Sequence, residues 1–401
     1  MFKSRLMLIL TAFVISFSAF SQTALPVRNA HIRLLPDSKT TSLYKAVVTE
    51  ELKLLEEDNG NHYYRVRTKD GITGYVYRTL VRLSKENPSW EVPLPEPIAA
   101  SEGILNACSF NIKFIGSSPN KRNEKLCDLL TPYDLVVVQE LVAPPYDGFY
   151  SQNQPYKGDV EAAAFFNIMT DHGFASFLSS EDTGRNENHT GGSSSEWFVV
   201  FYRPEILVID SARCEFLSEQ LVANEVFDRV PFRFQFSTVD KTLDFSIINV
   251  HLASAAGATE QRKEELAFIT NYINSSTDGE KDYLIVGDMN IQSSSEYSNI
   301  LPQNWLSLND ECVITNLAAS KKASSGKPYD HVMYEAQYSA TDIDTAFGMQ
   351  VIDIFTPFYL EWAQEFPTSA SSPYWVASFA SYYSDHHPVA FRLVYGVEDD
   401  D

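Results

Sequence analysis

The sequence is poor in basic residues. Its 401 positions hold 31 lysines and arginines against 53 aspartates and glutamates, a formal net charge of −22. A chain this acidic repels polyanions at long range, so a nucleic acid would need divalent cations or a local basic strip to approach it. The same acidity also suits solubility in an extracellular setting, because the charge of a whole protein and that of its site are separable.

Cysteines and long apolar runs are also scarce. The spacing of the four cysteines suits no zinc site; they are Cys108, Cys127, Cys214 and Cys312. In an exported chain they allow two disulfides, with three pairings that the sequence leaves open, whereas Cys108 and Cys127 also fit buried free thiols. Beyond the first 21 positions, no apolar stretch is long enough to cross a bilayer.

The N-terminus has the layout of a secretory leader. Lys3 and Arg5 precede an apolar core from Leu6 to Phe17, and small residues follow before Gln22. We expect residues 1–21 to be a cleaved signal peptide and the protein to be exported, to the periplasm, the cell envelope or the medium. An uncleaved anchor is the alternative, and the short apolar core disfavours it.

A small all-β barrel is predicted for residues 25–84. Short alternating runs separated by turn residues indicate its strands, and these runs are Ala30 to Leu35, Ala46 to Leu55, His62 to Arg67 and Gly74 to Val81. A proline-spaced linker is predicted for residues 85–101, and a large domain for residues 102–397.

Two stretches of this predicted barrel resemble bacterial Src-homology-3-type domains. They are Tyr63 to Val66 and Thr68 to Val76. The resemblance implies a cell-wall or peptide ligand for the barrel, and the alternative is a passive spacer.

The large domain is predicted to be α/β or α+β. Helical periodicity occurs at Lys121 to Leu130, Val160 to His172 and Thr259 to Ile273. Val230 to Thr238 and Thr242 to Val250 read as an antiparallel hairpin. Mixed sheets covered by helices are therefore expected.

Polar residues follow the apolar runs of this domain. The run from Tyr283 to Gly287 stops at Asp288 and Asn290, and similar runs end at further polar residues, namely Asn111, Glu140, His251 and the Asp385-His386 step. Asp and Asn are ordinary turn formers, so any one such ending is better explained by a turn. The repetition instead predicts that these side chains share one edge of a sheet.

Oxygen donors dominate this set, which suits magnesium, manganese or calcium better than zinc. Two histidines beside carboxylates suit acid and base chemistry. Phosphodiester hydrolysis needs the developing charge neutralised and a water aligned opposite the leaving oxygen, and a metal on carboxylates with an imidazole held by a carboxylate would provide both.

Nine short motifs resemble the endonuclease/exonuclease/phosphatase superfamily, and within it secreted deoxyribonuclease I. They are Ser109 to Ile112, Val138 to Glu140, Gly184 to Asn186, Glu196 to Pro204, Asp228 to Pro231, Asn249 to His251, Gly287 to Asn290, Tyr329 to His331 and Ser384 to Val389. Each is weak singly, but their order and spacing together are specific. The resemblance implies a four-layer sandwich of two mixed β-sheets flanked by helices.

The resemblance implies Glu140 as the main metal ligand, helped by Asn111 and Asp385. It also implies that Asp288 and Asn290 bind the metal or orient the phosphate and the attacking water. The implied cofactor is Mg²⁺, with Mn²⁺ or Ca²⁺ as alternatives.

Two histidine–carboxylate pairs are implied in the same way. Asp330 would orient His386, and Glu196 would orient His251. Which imidazole is the general base stays open. The implied phosphate contacts are Arg229 and Arg185.

The expected activity is that of an exported metal-dependent phosphodiesterase, with DNA as the substrate of an endonuclease. Leu141-Val142 stand where deoxyribonuclease I has a DNA-contacting arginine, and residues 187–195 are inserted, so duplex binding is in doubt. One alternative is a phospholipid or small-molecule phosphoesterase, as in sphingomyelinases or inositol phosphatases. The other is a non-enzymatic envelope-binding protein.

Overall fold

The computed structural model describes fourteen stretches of the chain. They are residues 23–33, 35–40, 42–58, 60–68, 73–85, 88, 103–117, 120–150, 153–183, 195–217, 226–317, 326–370, 372 and 374–396. The predicted signal peptide, nearly all of the predicted linker and Arg185 lie outside them. The chain divides into two compact units, and apart from residues 69–71 the division falls between Glu91 and Val92. No helix in the described stretches is long and apolar enough to span a membrane.

The N-terminal unit contains one antiparallel sheet of seven strands in the order β3-β2-β6-β5-β4-β1-β7. The strands are Thr23–Pro26 (β1), Ala30–Arg33 (β2), Ser42–Ala46 (β3), Leu52–Glu56 (β4), Tyr63–Arg67 (β5), Thr73–Tyr77 (β6) and Val81–Ser84 (β7). Small and β-branched side chains such as Ala30, Ile32, Val66 and Val76 form its buried core. The barrel and its Src-homology-3 likeness stay predictions.

Two predicted N-terminal strands are each divided in the structure. The run Ala46 to Leu55 is interrupted because the Glu50 carboxylate accepts the Val47 N–H (2.9 Å) and closes a turn between β3 and β4. The run Gly74 to Val81 is divided by a 3₁₀ turn, Arg78–Leu80, between β6 and β7.

The second unit contains two main sheets. The first has the order β12-β13-β9-β8-β22-β21, in which only β8 and β9 are parallel. Its strands are Ile104–Ile115 (β8), Leu135–Leu141 (β9), Ala175–Leu178 (β12), Trp197–Tyr202 (β13), Gln350–Val351 (β21) and Val389–Val394 (β22). A separate pair joins Gly148–Phe149 (β10) to Pro155–Tyr156 (β11).

The other main sheet has the order β14-β16-β17-β18-β20-β19, with β15 paired to β16. The strands are Leu207–Ile209 (β14), Glu215–Phe216 (β15), Phe232–Thr238 (β16), Asp244–His251 (β17), Tyr283–Asp288 (β18), Trp305–Ser307 (β19) and Asp330–Glu335 (β20). β16 and β17 form the predicted hairpin, and β17 and β18 are parallel.

The helices are Asn123–Leu130 (α1), Val160–Asp171 (α2), Thr259–Ser275 (α3), Ser294–Ile300 (α4), Phe355–Glu365 (α5), Pro367–Ala370 (α6) and Trp375–Tyr382 (α7). One apolar cluster joins the two sheets, for example Val137 and Phe198 of the first with Ile247 and Val286 of the second. Two further clusters join the helices to the sheets. The α/β class with mixed and antiparallel sheets is thus confirmed, and the four-layer arrangement stays a prediction.

Two strands run further than the sequence predicts. β8 continues past Asn111 to Ile115, and β9 includes Glu140. Both contain left-handed residues, with φ of 58° at Lys113 and at Phe114 and 63° at Glu140, and the β8–β9 register shifts after Asn111. The backbone therefore bends within the strands instead of ending there.

The four cysteines are free thiols in the structure. Cys108 and Cys127 are fully buried, as one of the two sequence interpretations expects.

Candidate active site

Asn111, Glu140 and Asp288 meet where the two sheets face each other. The side-chain amide of Asn111 donates to Glu140 Oε1 (2.9 Å) and to Asp288 Oδ2 (3.0 Å). Its oxygen accepts the Lys113 N–H (3.1 Å). All three predicted site residues are buried, so the amide offsets part of the repulsion between the carboxylates.

The first histidine–carboxylate pair is formed as expected. His251 Nδ1 lies 3.1 Å from Glu196 Oε1, and the other Glu196 oxygen accepts the backbone N–H of Glu140 (3.0 Å). Arg229 Nε lies 3.7 Å from Glu196 Oε1, and Arg229 Nη1 donates to the His251 carbonyl (3.3 Å). Arg229 therefore supports this pair from within the protein.

The second pair is also formed. His386 Nδ1 lies 2.8 Å from Asp330 Oδ2. The Thr315 hydroxyl donates to the same oxygen (2.6 Å), and the ring of Tyr329 stacks against the imidazole with centroids 5.6 Å apart. These contacts fix both the position and the ring plane of His386.

A single carboxylate oxygen faces both imidazoles. Asp288 Oδ2 is 3.4 Å from His251 Nε2 and 3.5 Å from His386 Nε2. The other oxygen of Asp288 accepts the Asn290 N–H (2.9 Å), and the Asn290 amide donates to the Leu252 carbonyl (3.1 Å). Asn290, with φ of 53°, thereby holds the turn after β18.

The donor set fits a hard divalent cation. Two groups of three side chains each bring one donor atom within 4.8 Å of the others, and these are Glu140, His251 and Asp288, and Asp288, Asp330 and His386. Glu140 Oε2 is buried and has no hydrogen-bond partner among the described residues. A buried oxygen without a donor is costly unless a cation or water binds there.

Asp385 is not part of either group. Its Oδ2 lies 3.2 Å from Lys113 Nζ, and its Oδ1 is buried with no hydrogen-bond partner in the described part of the chain. The ammonium group therefore occupies one face of this predicted ligand.

The two imidazoles differ in protonation. Burial, reinforced by the nearby Arg229 guanidinium, lowers the pKa of His251 to about 4. Burial also opposes the protonation of His386, but the carboxylates of Asp330 and Asp288 outweigh it and raise its pKa to about 10. Burial raises the pKa of Glu196 to about 7. Between pH 7 and 9 the site thus holds a neutral His251 and a protonated His386.

Buried charges on α3 support the loops around the site. Arg262 Nε donates to Glu296 Oε1 (2.9 Å) and Arg262 Nη1 donates to the Ala253 carbonyl (2.6 Å). Glu265 accepts the N–H groups of Ala253 (2.9 Å) and Asp228 (3.2 Å). The segments after His251 and before Arg229 are thereby fixed to one helix.

Sequence reasoning missed Lys113 and Thr315. Lys113 lies two positions after Asn111, and this closeness was the available signal. Thr315 contacts Asp330 only in the folded structure, so no local sequence pattern predicts this contact. His331, the last residue of the Tyr329 to His331 motif, belongs to neither pair: its ring nitrogens bond Ser307 (2.9 Å) and the Pro328 carbonyl (2.9 Å).

No family model and no curated protein matches the chain. Among solved structures, a functionally unknown conserved protein from Enterococcus faecalis V583 is 15% identical, over 73% of this chain and 100% of that one, with a TM-score of 0.46. D. rerio TDP2 complexed with single strand DNA product is 13% identical, over 73% and 99%, with a TM-score of 0.45. An endonuclease/exonuclease/phosphatase family protein from Bacteroides thetaiotaomicron is 13% identical, over 73% and 95%, with a TM-score of 0.45.

Proposed function

We propose that the protein is an exported, divalent-metal-dependent phosphodiesterase and that its substrate is DNA, cut as by an endonuclease. The observation that carries the proposal is the position of Asp288 Oδ2, which faces the Nε2 atoms of His251 and His386 at 3.4 and 3.5 Å. One neutral and one protonated imidazole lie beside the carboxylates that would bind the metal. A general base, a general acid and a metal together suit the displacement of an alkoxide from phosphorus.

The protonation states support one distribution of the roles that the sequence left open. Neutral His251, with Nδ1–H directed at Glu196, accepts a proton from water through Nε2 as the new P–O bond forms. Protonated His386, held by Asp330, gives its Nε2 proton to the leaving oxygen as the old P–O bond breaks. Glu196 keeps neutral His251 in the Nδ1–H tautomer, and Asp330 stabilises the protonated form of His386.

Glu140 and Asp288 are the residues that would hold the metal, with Asp385 joining them once Lys113 moves away. A divalent cation held there would neutralise charge on the phosphate oxygens and lower the pKa of a bound water. The Asn111 amide then keeps the two carboxylates at their spacing. For Asn111 itself to ligate, its amide would have to turn so that the oxygen faces the carboxylates.

Arg229 contributes charge to the Glu196–His251 pair. Because its guanidinium is buried and donates to the His251 carbonyl, it acts on the phosphate through this pair. The phosphate contact inferred for Arg185 stays a prediction, as do the cell-envelope location and the cell-wall or peptide ligand of the N-terminal unit.

The acidity of the chain favours a second candidate, a phosphoesterase acting on a phospholipid or a small phosphoester. Residues 103–396 contain 18 basic and 38 acidic residues, a net charge of −20. The electrostatic repulsion from such a surface is far smaller for a small substrate with few charges than for a polyanion.

A plasmid-nicking assay with Mg²⁺ tests the proposal. Nicking should disappear with chelator and fall at least about 100-fold in His251→Ala, the loss typical of a missing general base. The control is Lys157→Ala, because Lys157 pairs only with Asp147 on the exposed surface, among the described residues, and has no part in the proposed site. Hydrolysis of a choline phospholipid with intact plasmid would favour the second candidate, and inactivity on both substrates would contradict the catalytic interpretation.

A further inference from the structure

Charge is divided unevenly between the two units. Residues 23–88 contain eleven lysines and arginines against eight acidic residues, a net charge of +3, whereas residues 103–396 carry −20. A basic module attached to an acidic domain is a pattern typical of proteins that bind polyanions. The positive unit is therefore where an anionic ligand meets least repulsion.

The basic residues of the N-terminal sheet share a face with tyrosines. Arg33 pairs with Tyr75 across β2 and β6, and Tyr75 pairs with Arg65 across β6 and β5. Directly paired residues of antiparallel strands point to the same side. By the same register, His31 pairs with Lys45 and Tyr63 pairs with Tyr77. Arg33, Tyr75 and Arg65 thus form one row across β2, β6 and β5, with the other two pairs on neighbouring rows.

A cavity of about 450 Å³ opens on this face and is lined by Asn29, His31, Arg33, Tyr63 and Tyr77, among others. The two tyrosine rings meet edge to face, with centroids 5.1 Å apart and planes at 73°. Tyr77 is 38% exposed although it is a large aromatic side chain. An exposed aromatic surface beside cationic side chains can bind a planar aromatic ring and an anionic group of the same ligand.

Among the residues that the structure describes, no carboxylate forms an ion pair with His31 or Arg33. Arg33 Nη1 donates to the Thr40 carbonyl (2.7 Å), which holds the guanidinium in place. His31 Nδ1 bonds the Ser42 hydroxyl (2.7 Å), so Nε2 remains for a ligand. By contrast, Arg78 is paired with Asp58 (2.8 Å) and is left out of the inferred site.

We propose that this face of the N-terminal unit, defined by His31, Arg33, Tyr63, Tyr75 and Tyr77, binds single-stranded nucleic acid. A base would stack on the tyrosines in the cavity, and its phosphates would meet Arg33 and His31. Stacking together with basic side chains is how unpaired strands are bound with little sequence preference, and a paired base is not free to enter such a cavity. The inference rests on the proposed function, because single-stranded nucleic acid would be the form of the substrate that this face binds before cleavage.

Fluorescence anisotropy of a labelled oligothymidylate, with the full-length protein in chelator, tests the inference without cleavage. Loss of one stacked base predicts about tenfold weaker binding in Tyr77→Ala, with binding retained in Tyr77→Phe. Arg33→Gln should weaken binding several-fold and flatten its salt dependence, because one phosphate contact is lost. The matched control is Arg82→Gln, an exposed arginine of β7 at the far edge of the sheet, which should bind as the parent does.

Two outcomes would overturn the inference. One is equal oligothymidylate binding by all four variants, and the other is equally tight, Tyr77-independent binding of an anionic polysaccharide, which has no bases to stack. Metal-dependent hydrolysis of bis(p-nitrophenyl) phosphate, measured on the same variants, keeps the two proposals apart. Hydrolysis without Tyr77-sensitive binding would refute only the strand-binding face, and binding without hydrolysis would refute only the catalytic proposal.

Discussion

The backbone N–H of Glu140 donates to the side chain of Glu196 at 3.0 Å, and this bond connects the predicted metal ligand to the residue that orients His251. It depends on the left-handed backbone of Glu140, whose φ is 63°. A non-glycine residue in this region carries strain that the surrounding contacts must offset. Metal binding and imidazole orientation are therefore expected to change together.

Glu196 offers a direct test of that connection. Glu196→Gln retains an oxygen for the Glu140 N–H but removes the charge beside His251, so we expect kcat to fall about 10- to 100-fold with metal affinity nearly unchanged. Glu196→Ala also removes the acceptor, so it should weaken metal binding as well. Steady-state kinetics and calorimetric metal titration measure the two effects. Equal metal affinity in both variants would show that the bond does not position Glu140.

Replacing Glu140 should separate metal binding from folding. Glu140→Gln keeps the side-chain volume but removes a buried negative charge, so metal affinity should fall about 10- to 100-fold or more, and activity with it. The thermal midpoint in chelator should stay the same or rise, because repulsion with Asp288 is relieved. Calorimetry and thermal melts of the metal-free protein are the measurements. Metal affinity unchanged in Glu140→Gln would remove this residue from the proposed ligand set.

The protonation of His386 predicts a pH-dependent stability. Its pKa is raised to about 10, above an unfolded value of about 6.5, so the folded state binds the extra proton. The stabilisation is complete below about pH 6.5 and is lost as pH rises towards 10. In chelator, the difference in melting temperature between the parent and His386→Asn should shrink over this range. Parallel curves for the two proteins would contradict the assignment of a protonated imidazole.

His251 predicts the opposite slope on the acid side. Burial lowers its pKa to about 4, below the unfolded value of about 6.5, so the unfolded state binds the proton first. Stability is therefore lost as pH falls from about 6.5 towards 4. His251→Gln should remove this loss in thermal melts between pH 4 and 7 in chelator. If His251→Gln lost stability with falling pH as steeply as the parent, another group would be responsible for the acid-side loss.

The sequence predicts the ends of β17 and β18 well because apolar runs stop there at His251 and Asp288. It misplaces Asn111 and Glu140 relative to their strand ends because left-handed residues bend β8 and β9 without interrupting them, and no glycine marks those bends. The contact between Thr315 and Asp330 could not be predicted, since it joins a loop to a strand through tertiary packing alone. Local patterns thus locate the ends of regular strands, whereas bends and side-chain partners depend on the assembled sheets.

Lys113 is expected to limit metal affinity. Its ammonium group pairs with Asp385 at 3.2 Å, and Asp385 and Glu140 raise its pKa against the effect of burial, so it stays charged beside the site. Lys113→Gln removes this competing cation, so divalent-metal affinity should rise several-fold. Lys157→Gln is the matched control, because Lys157 pairs with Asp147 (2.7 Å) on the exposed surface. A fall in affinity, or no change, in calorimetric titration of Lys113→Gln would contradict this role.

Lys121 joins the two segments that carry Asn111 and Asp385. Its buried Nζ donates to the Ile112 and Ala380 carbonyls (3.0 Å each) and also to the Tyr383 carbonyl. Ala380 lies in the last turn of α7 and Tyr383 follows it, so Nζ bonds carbonyls at the C-terminal end of that helix. Burial lowers the pKa of Lys121 to about 7.

We expect Lys121→Met to lower the free energy of unfolding by roughly 3 kcal/mol or more, because three buried carbonyls lose a hydrogen-bond donor and each such loss costs about 1–3 kcal/mol. Denaturant melts measure this loss, with Lys157→Met as the exposed control that should melt as the parent does. If the bonds also set the spacing of the ligand segments, Lys121→Met should bind divalent metal more weakly at temperatures where it remains folded. A variant that is destabilised yet binds metal as tightly as the parent would confine Lys121 to a purely structural role.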